Sequence, residues 1–258
     1  MEDGWSSLAA QWSELWAASA APAHEALIAA SGIRSGSRVL DVGCGSGEFL
    51  RTLAQHGAVA TGVDPAPGMV ALARTLAPLA DVRIAEAEDL PFADASFDVV
   101  TAVNALQFAD DTVDALAEFA RVLAPGGFVA VANWAEGARN DIDAIEAAVA
   151  AADDDGTGGT GGADDEPAAP GGDLRAPGGL EAVMSEAGLV VVTAGLVSVP
   201  WFAPDDDALV RGVLLGEDPS LLRELAPVVL AAAAPFRTDE GGYRLNNAYR
   251  YAVARIPF

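Results

Sequence analysis

A chain of 258 residues, 52% hydrophobic and 20% charged, is long enough for one α/β domain with a substantial buried core and a small accessory part. Its formal charge of -24, from 38 acidic and 14 basic side chains with no lysine, would repel a phosphate backbone and argues against nucleic-acid partners, while the same acid keeps an alanine-rich surface soluble. No window offers the about 18 apolar residues of a bilayer span, and the acidic start MEDGWSS has no basic region ahead of an apolar stretch, so neither a membrane nor secretion is indicated and a cytoplasmic location is expected.

In chain order, residues 5–31 read as two helices, with Pro22 opening the second. Trp5, Trp12 and Trp16 share one face of the first. Such a stripe packs a core or, where a helix crosses the carboxyl edge of a sheet, covers a ligand there. From residue 37 short β-branched runs alternate with helical stretches: RVLDV, EFLRTLAQHG, AVATGVD, GMVALARTLA, DVRIAEAE, FDVVTAVN, DTVDALAEFARVLAPGG and FVAVANW. This rhythm, with strands apolar on both faces, predicts a mostly parallel sheet covered by helices on each side. Residues 153–179 are low-complexity Gly, Asp and Pro and read as a mobile loop. Beyond them come a strand in GLVVVTAGLVSVPW, two helices at about 205–234, and YRLNNAYRYAVARIPF as one long final strand, antiparallel to the rest. The expected organisation is a single domain over 1–258. It comprises a helical cap 1–36, a core 37–134, an insertion 135–187 holding the loop, and C-terminal strands and helices over 188–258.

The chemistry concentrates in VLDVGCGSGEF, residues 39–49, where Gly43, Gly45 and Gly47 turn the first strand into a helix. Glycines there admit backbone conformations closed to other residues and let a ligand approach the main chain beside the positive helix start. A dinucleotide fingerprint would place a third glycine at 48, but Glu48 stands there and competes with a phosphate for the same N–H groups. Asp64, ending the second strand in GVDPAPGM, can accept both hydroxyls of a ribose, or act with Pro65 as a helix N-cap. The single cysteine, Cys44, cannot form an internal disulfide, and no His, Cys and carboxylate set has metal-ligand spacing.

LDVGCGSG, GVDPAPGM, AEAEDLPFADASFDVV, NALQF and RVLAPGG, in this order and spacing, resemble the class I S-adenosylmethionine-dependent methyltransferases, in the ubiquinone-biosynthesis-like branch that acts on small molecules. The likeness is close over residues 37–134. It implies a Rossmann-like, mostly parallel seven-stranded sheet with an antiparallel last strand and a helical N-terminal lid. It further implies S-adenosylmethionine as methyl donor, S-adenosylhomocysteine as product and a small-molecule acceptor. Residue by residue, it implies that Gly43 and Gly45 line the methionine and ribose portions, that Asp41 supports the loop and the ammonium group, and that Asp64, followed by Pro65, holds the ribose. Met69 would pack near the adenine. Where the family usually has an Asp-Ala pair contacting the adenine, this chain has Glu86 and Ala87, so the acceptor is one methylene longer. The backbone of Asn104 would face the methionine end, and Trp12 would cover the cofactor. Trp16, Gln107 and Trp134 are the expected acceptor-pocket residues.

Methyl transfer from a sulfonium needs chiefly alignment, and a base only if the acceptor is protonated. Neither histidine advertises itself as one: His56 reads as a surface residue and His24 first as a structural one. Two other readings stay open on the sequence, an NAD-dependent oxidoreductase and a fold that binds S-adenosylmethionine without transferring its methyl group.

Overall fold

The computed structural model describes residues 2–153 and 172–257. Three helical segments come first: α1 (Glu2–Leu15), a 3-10 turn (Ala17–Ala20), and α2 (Ala21–Ser31), which has Pro22 in its first turn and ends at Gly32 in a left-handed conformation (φ 70°). The core follows as β1 (Arg38–Val42), α3 (Glu48–Gln55), β2 (Val59–Asp64), α4 (Pro67–Leu76), β3 (Asp81–Ile84), β4 (Phe97–Val103), α5 (Thr112–Val122) and β5 (Leu123–Trp134). Asp111 caps α5 by accepting from the N–H groups of Val113 and Asp114, at 2.8 and 3.1 Å. The APGG segment after α5 lies outside regular pairing, since Phe97 faces Leu123 while Val99 already faces Phe128.

The remainder is α6 (Asp141–Asp153), α7 (Gly179–Glu186), β6 (Val190–Ser198), β7 (Trp201–Ala203), α8 (Asp206–Val213), α9 (Pro219–Ala232), β8 (Tyr243–Leu245) and β9 (Ala248–Arg255). Seven strands form one sheet in the order β3-β2-β1-β4-β5-β9-β6, parallel except for β9, which runs antiparallel to both neighbours. The expected Rossmann-like sheet with an antiparallel last strand and helices on both faces is therefore present.

One core packs α5 and α7 on Leu40, Val100, Val129 and Ala252. On the other face α2, α3 and α4 pack against Val39, Ala60, Val99 and Val253. Leu40, Val100, Val129 and Val253 are completely buried, which is why these strands read as continuous apolar runs. A third core, joining Trp16 to α6, α8 and α9 and to the small sheet of β7 and β8, stands at the carboxyl edge of the main sheet.

The long C-terminal strand expected from YRLNNAYRYAVARIPF is two strands. Asn246 and Asn247 leave the pairing to hold the start of α6: the Asn246 N–H donates to Asp141 Oδ2 at 2.7 Å, the Ile142 N–H donates to Asn247 Oδ1 at 3.3 Å, and the Val199 N–H donates to the Asn247 carbonyl at 2.8 Å. β8 is thereby turned to pair with β7, while β9 joins the main sheet. GLVVVTAGLVSVPW likewise splits, with β6 ending at Ser198 and Pro200, which has no N–H for a ladder, preceding β7. Of the loop expected at 153–179, residues 154–171 lie outside the described residues, so its mobility does too. Its far end is pinned, because Arg175 pairs with Asp143 and donates from Nε to the Ala135 carbonyl at 3.0 Å.

Candidate active site

The strand order reverses between β1 and β4, and a ligand cleft is expected just beyond the carboxyl ends of these strands. A cavity of about 560 Å³ lies there, between the ends of β1, β2 and β4 and under α1 and α2. Its size suits a small molecule or cofactor.

The loop after β1 forms its floor. Gly43 has φ +69°, and a Cβ there would lie 2.3 Å from the Cβ of Ala105, so only glycine lets the loop pass this close to the end of β4. Gly45 also has positive φ (+52°), but open space adjoins its Cβ position, leaving room for a ligand against the main chain. At the start of α3, Glu48 accepts from the Ser46 hydroxyl at 2.7 Å and from the Ser13 hydroxyl of α1 at 3.3 Å. It thus ties the helical cap to the loop.

Two carboxylates stand at the strand ends. Asp64 accepts the Gly45 and Ala66 N–H groups, each at 2.9 Å, so it fixes the glycine loop and forms a side-chain turn ahead of α4, while the helix N-cap the sequence also allowed it is taken by Ala66. A carboxylate has about four acceptor sites, which leaves capacity toward the cavity. Its burial raises its pKa against the effect of those two bonds. Asp41, 2% exposed, accepts the Thr101 hydroxyl at 2.7 Å. Burial pushes its pKa up to about 7, the Thr101 bond opposes this, and the charge of Asp64 adds to it.

At the end of β4, Asn104 takes a left-handed conformation (φ 52°) while its N–H donates to the Ala132 carbonyl at 2.7 Å. Its Oδ1 is buried without a hydrogen-bond partner among the described residues, on a side chain that lines the cavity. An unmade acceptor bond at a strained residue marks a place where a ligand donor would be welcome.

Aromatic side chains of α1 close the roof. Trp5 meets Trp12 edge-on at 5.5 Å and Phe108 at the same distance. Trp12 neighbours Trp16, which stacks on Trp201 at 4.2 Å and donates its indole N–H to the Gly212 carbonyl at 3.0 Å. The stripe has both roles weighed for it from the sequence: Trp16 belongs to the third core, yet Trp5, Trp12 and Trp16 all line the cavity.

All ten residues expected around a cofactor, Trp12, Asp41, Gly43, Gly45, Asp64, Pro65, Met69, Glu86, Ala87 and Asn104, lie on the wall of this cavity. Among the three expected at the acceptor, Trp16 lines it and Gln107 and Trp134 do not. Trp134 is instead packed between Trp16 and Tyr249, at 6.1 and 4.9 Å. Gln107 lies on the 3-10 turn Leu106–Phe108, whose Leu106 and Phe108 reach the wall in its place. Tyr249, Phe49 and Phe119 line the cavity although the sequence did not single them out. An antiparallel last strand has its first residues at the carboxyl edge, and this was the signal available for Tyr249.

Cys44 packs on β2, where a Cβ added at Gly62 would lie 2.9 Å from its Sγ. Burial and the nearby Asp41 and Asp64 charges push its thiol well above the usual range, which removes it as a nucleophile. His56 is at the surface, 3.3 Å from Glu25 Oε1. Among the described residues no three His, Cys, Asp or Glu side chains are grouped to hold a metal, and no helix is long and apolar enough to cross a membrane.

This sheet order, with the cavity at its reversal point, is that of a Rossmann-like α/β domain. Residues 40–131 match the family described as "Methyltransferase domain". The malonyl-[acyl-carrier protein] O-methyltransferase of Pectobacterium atrosepticum is 36% identical over 118 residues, 46% of this chain and 47% of that one. The 27-O-demethylrifamycin SV methyltransferase of Amycolatopsis mediterranei is 38% identical over 109 residues, 40% of each chain. Across the whole fold, a Haloferax volcanii chain from the complex with the Trm112 methyltransferase activator superposes with a TM-score of 0.60 at 22% identity, covering 98% of both. Residues 40–131 are thus similar to a methyltransferase domain, and the chain spans less than half the length of either curated relative it matches.

Proposed function

We propose that this chain transfers the methyl group of S-adenosylmethionine to a small, largely apolar molecule, by in-line displacement inside the cavity at the β1 and β4 ends. The observation that carries this reading is the convergence on one cavity of an adenosine-type acid pair, Asp64 and Glu86, a glycine loop and a buried acid at β1, with a further aromatic end. Asp64 would hold the ribose hydroxyls, Glu86 and Ala87 the adenine edge, and Met69 the adenine face. Asp41 and the unpartnered Asn104 Oδ1 fit a ligand ammonium, since each is a buried acceptor and a cation offsets the burial of the carboxylate. Bound S-adenosylmethionine would supply a methyl group already activated by its sulfonium charge. The chain's own task is then alignment and exclusion of water, which the α1 tryptophans perform by roofing the cavity. Phe49, Leu106, Phe119 and Tyr249 also line the cavity, which favours a compact apolar acceptor over a polymer. The work is assigned to the cytoplasm, where this donor is made.

NAD is the weaker fit, because the Glu48 carboxylate, held by Ser46 and Ser13, occupies the helix start that a pyrophosphate would need. Calorimetry with S-adenosylmethionine, S-adenosylhomocysteine and NAD tests the reading: both sulfur ligands should bind and NAD should not. Binding of NAD alone would overturn it. Release of S-adenosylhomocysteine across an acceptor panel tests transfer, and binding without any release would instead favour a non-methylating S-adenosylmethionine protein.

A further inference from the structure

The main sheet has two edges, and they are built differently. β3 is four residues long and carries Asp81 and Arg83, which pair with each other at 2.6 Å, so an incoming strand would meet charge along it. β6, at the opposite edge, is the nine-residue run VVVTAGLVS, with no charged side chain and no proline. A strand of that length extends about 30 Å. Among the described residues only β9 pairs with it, so its other row of ladder N–H and C=O groups points away from the sheet. Val190, Val192 and Leu196 are 45%, 53% and 42% exposed, in a chain whose net charge is -24. Proteins ordinarily blunt a long apolar edge with charge, as β3 is blunted here, and β6 is not.

We propose that β6 is the contact of a two-fold dimer, pairing antiparallel with β6 of a second copy. The occupant is a strand because only a strand meets a row of ladder groups, and it is a second copy on grounds of charge and shape. Two chains this acidic repel each other over most of their surfaces, and contact along a strip without acids keeps their carboxylates apart. Val192 lies at a register shift against β9, whereas Thr193 to Ser198 pair with β9 without a break. A two-fold axis at Gly195 uses that regular stretch and sets Leu196 opposite Ala194 of the partner subunit. Ala194 and Leu196 border a groove of about 260 Å³ together with Glu181 and Arg250. The small Ala194 leaves room there for the partner subunit's Leu196, and the symmetry repeats the fit, so large meets small twice. Gly195 adds no side chain at the axis, since a Cβ there would lie 2.9 Å from the Tyr251 ring. β6 runs parallel to β5, because β9 is antiparallel to both. The two-fold therefore reverses the second sheet, and the two ligand cavities open at opposite edges of one continuous sheet. Neither copy covers the other's cavity, so dimerisation and ligand binding are independent. A strip of this size buries on the order of 1,000 Å² in total, at the low end for specific contacts, and a dissociable dimer with a Kd of about 10 µM is expected.

Sedimentation equilibrium of the full chain from about 1 to 200 µM tests the proposal, since that range brackets the expected Kd. The dimer should tighten by about threefold or more between about 0.05 and 0.5 M NaCl, as salt screens the repulsion between two acidic chains. Leu196→Glu puts two carboxylates into the contact and should weaken it by about thirtyfold or more. Ile84→Glu, at a 54% exposed position on the β3 edge, should leave the dimer unchanged. Both positions are exposed, so both variants should keep the circular dichroism and urea midpoint of the unaltered chain, and its affinity for S-adenosylhomocysteine. Chains carrying Ala194→Cys mixed with chains carrying Leu196→Cys should give a covalent dimer on mild oxidation that neither gives by itself, Cys44 being buried. A chain that stays monomeric over the whole range overturns the proposal and leaves the edge to residues 154–171 or to a strand of another protein. A dimer that Leu196→Glu leaves intact overturns it as well.

Discussion

Replacing Asp41 by Asn should change how the stability of the unliganded protein depends on pH. Asp41 titrates at about 7 in the folded chain against an ordinary value of 3.8, chiefly because it is buried. A raised carboxyl pKa means that its stabilising contribution is complete below about pH 4 and is lost as pH rises through about 7. The shift of roughly three units corresponds to about 4 kcal/mol in all, of which about 2.5 kcal/mol falls between pH 5 and pH 8. With 2% exposure, solvent screening takes little from this figure. In Asp41→Asn the charge is gone while an oxygen remains to accept the Thr101 hydroxyl, so the specific loss vanishes. The other acids repel one another alike in both proteins, and comparing the two removes their contribution. Urea unfolding of both proteins at about pH 5 and pH 8 measures the effect: the stability difference should move in favour of the variant by about 2.5 kcal/mol at the higher pH. A difference that stays constant within about 0.5 kcal/mol would show that Asp41 is not a desolvated, titrating carboxyl and would undo the reasoning.

The same carboxyl should couple to the ligand, because a cationic amino group beside Asp41 favours its charged form. S-adenosylhomocysteine should accordingly bind more weakly as pH falls below 7, by up to about tenfold per unit, and calorimetry on Asp41→Asn should show a flatter profile. Asp64→Ala removes the acceptor of the Gly45 and Ala66 N–H groups as well as the proposed ribose partner, so S-adenosylhomocysteine affinity should fall by about a hundredfold or more in the same assay. Gly43→Ala drives a methyl group to 2.3 Å from the Ala105 Cβ at a positive φ, and a loss of about 3 kcal/mol is expected in denaturant unfolding. Trp16→Phe leaves the Gly212 carbonyl without its donor and opens a gap beside Trp201, for an expected loss of about 2–3 kcal/mol, with S-adenosylhomocysteine binding kept.

What the sequence disclosed and what it withheld divide along the range of the interactions. The turn from β1 to α3, Asp64 with its following proline, and Asn104 at the end of β4 each depend on a few neighbouring residues, because a strand ending in a glycine turn carries its own geometry. The roof of the cavity depends on residues far apart in the chain. Trp16 bonds to Gly212 of α8 across 196 positions and Trp201 of β7 to Leu15 across 186, so the cap is fastened to C-terminal elements by contacts that no local pattern records. The same separation hid the break at Asn246 and Asn247. In the sequence they interrupt nothing, since the residues on either side keep a strand-like composition, and only the start of α6, 105 positions earlier, explains why the chain bends there. That bend sends β9 back along β5 with Tyr249 at the carboxyl edge, in the same wall as His24 from the opposite end of the chain. The cavity wall at the β1 and β2 ends is therefore specified by short motifs, and the rest of it by which helix and strand the tertiary fold brings together. Gln107 and Trp134 show the consequence. Both stand where a strand end suggests a pocket, and in the fold neither lines the cavity: Leu106 and Phe108 lie there beside Gln107, and Tyr249 of the distant β9 beside Trp134.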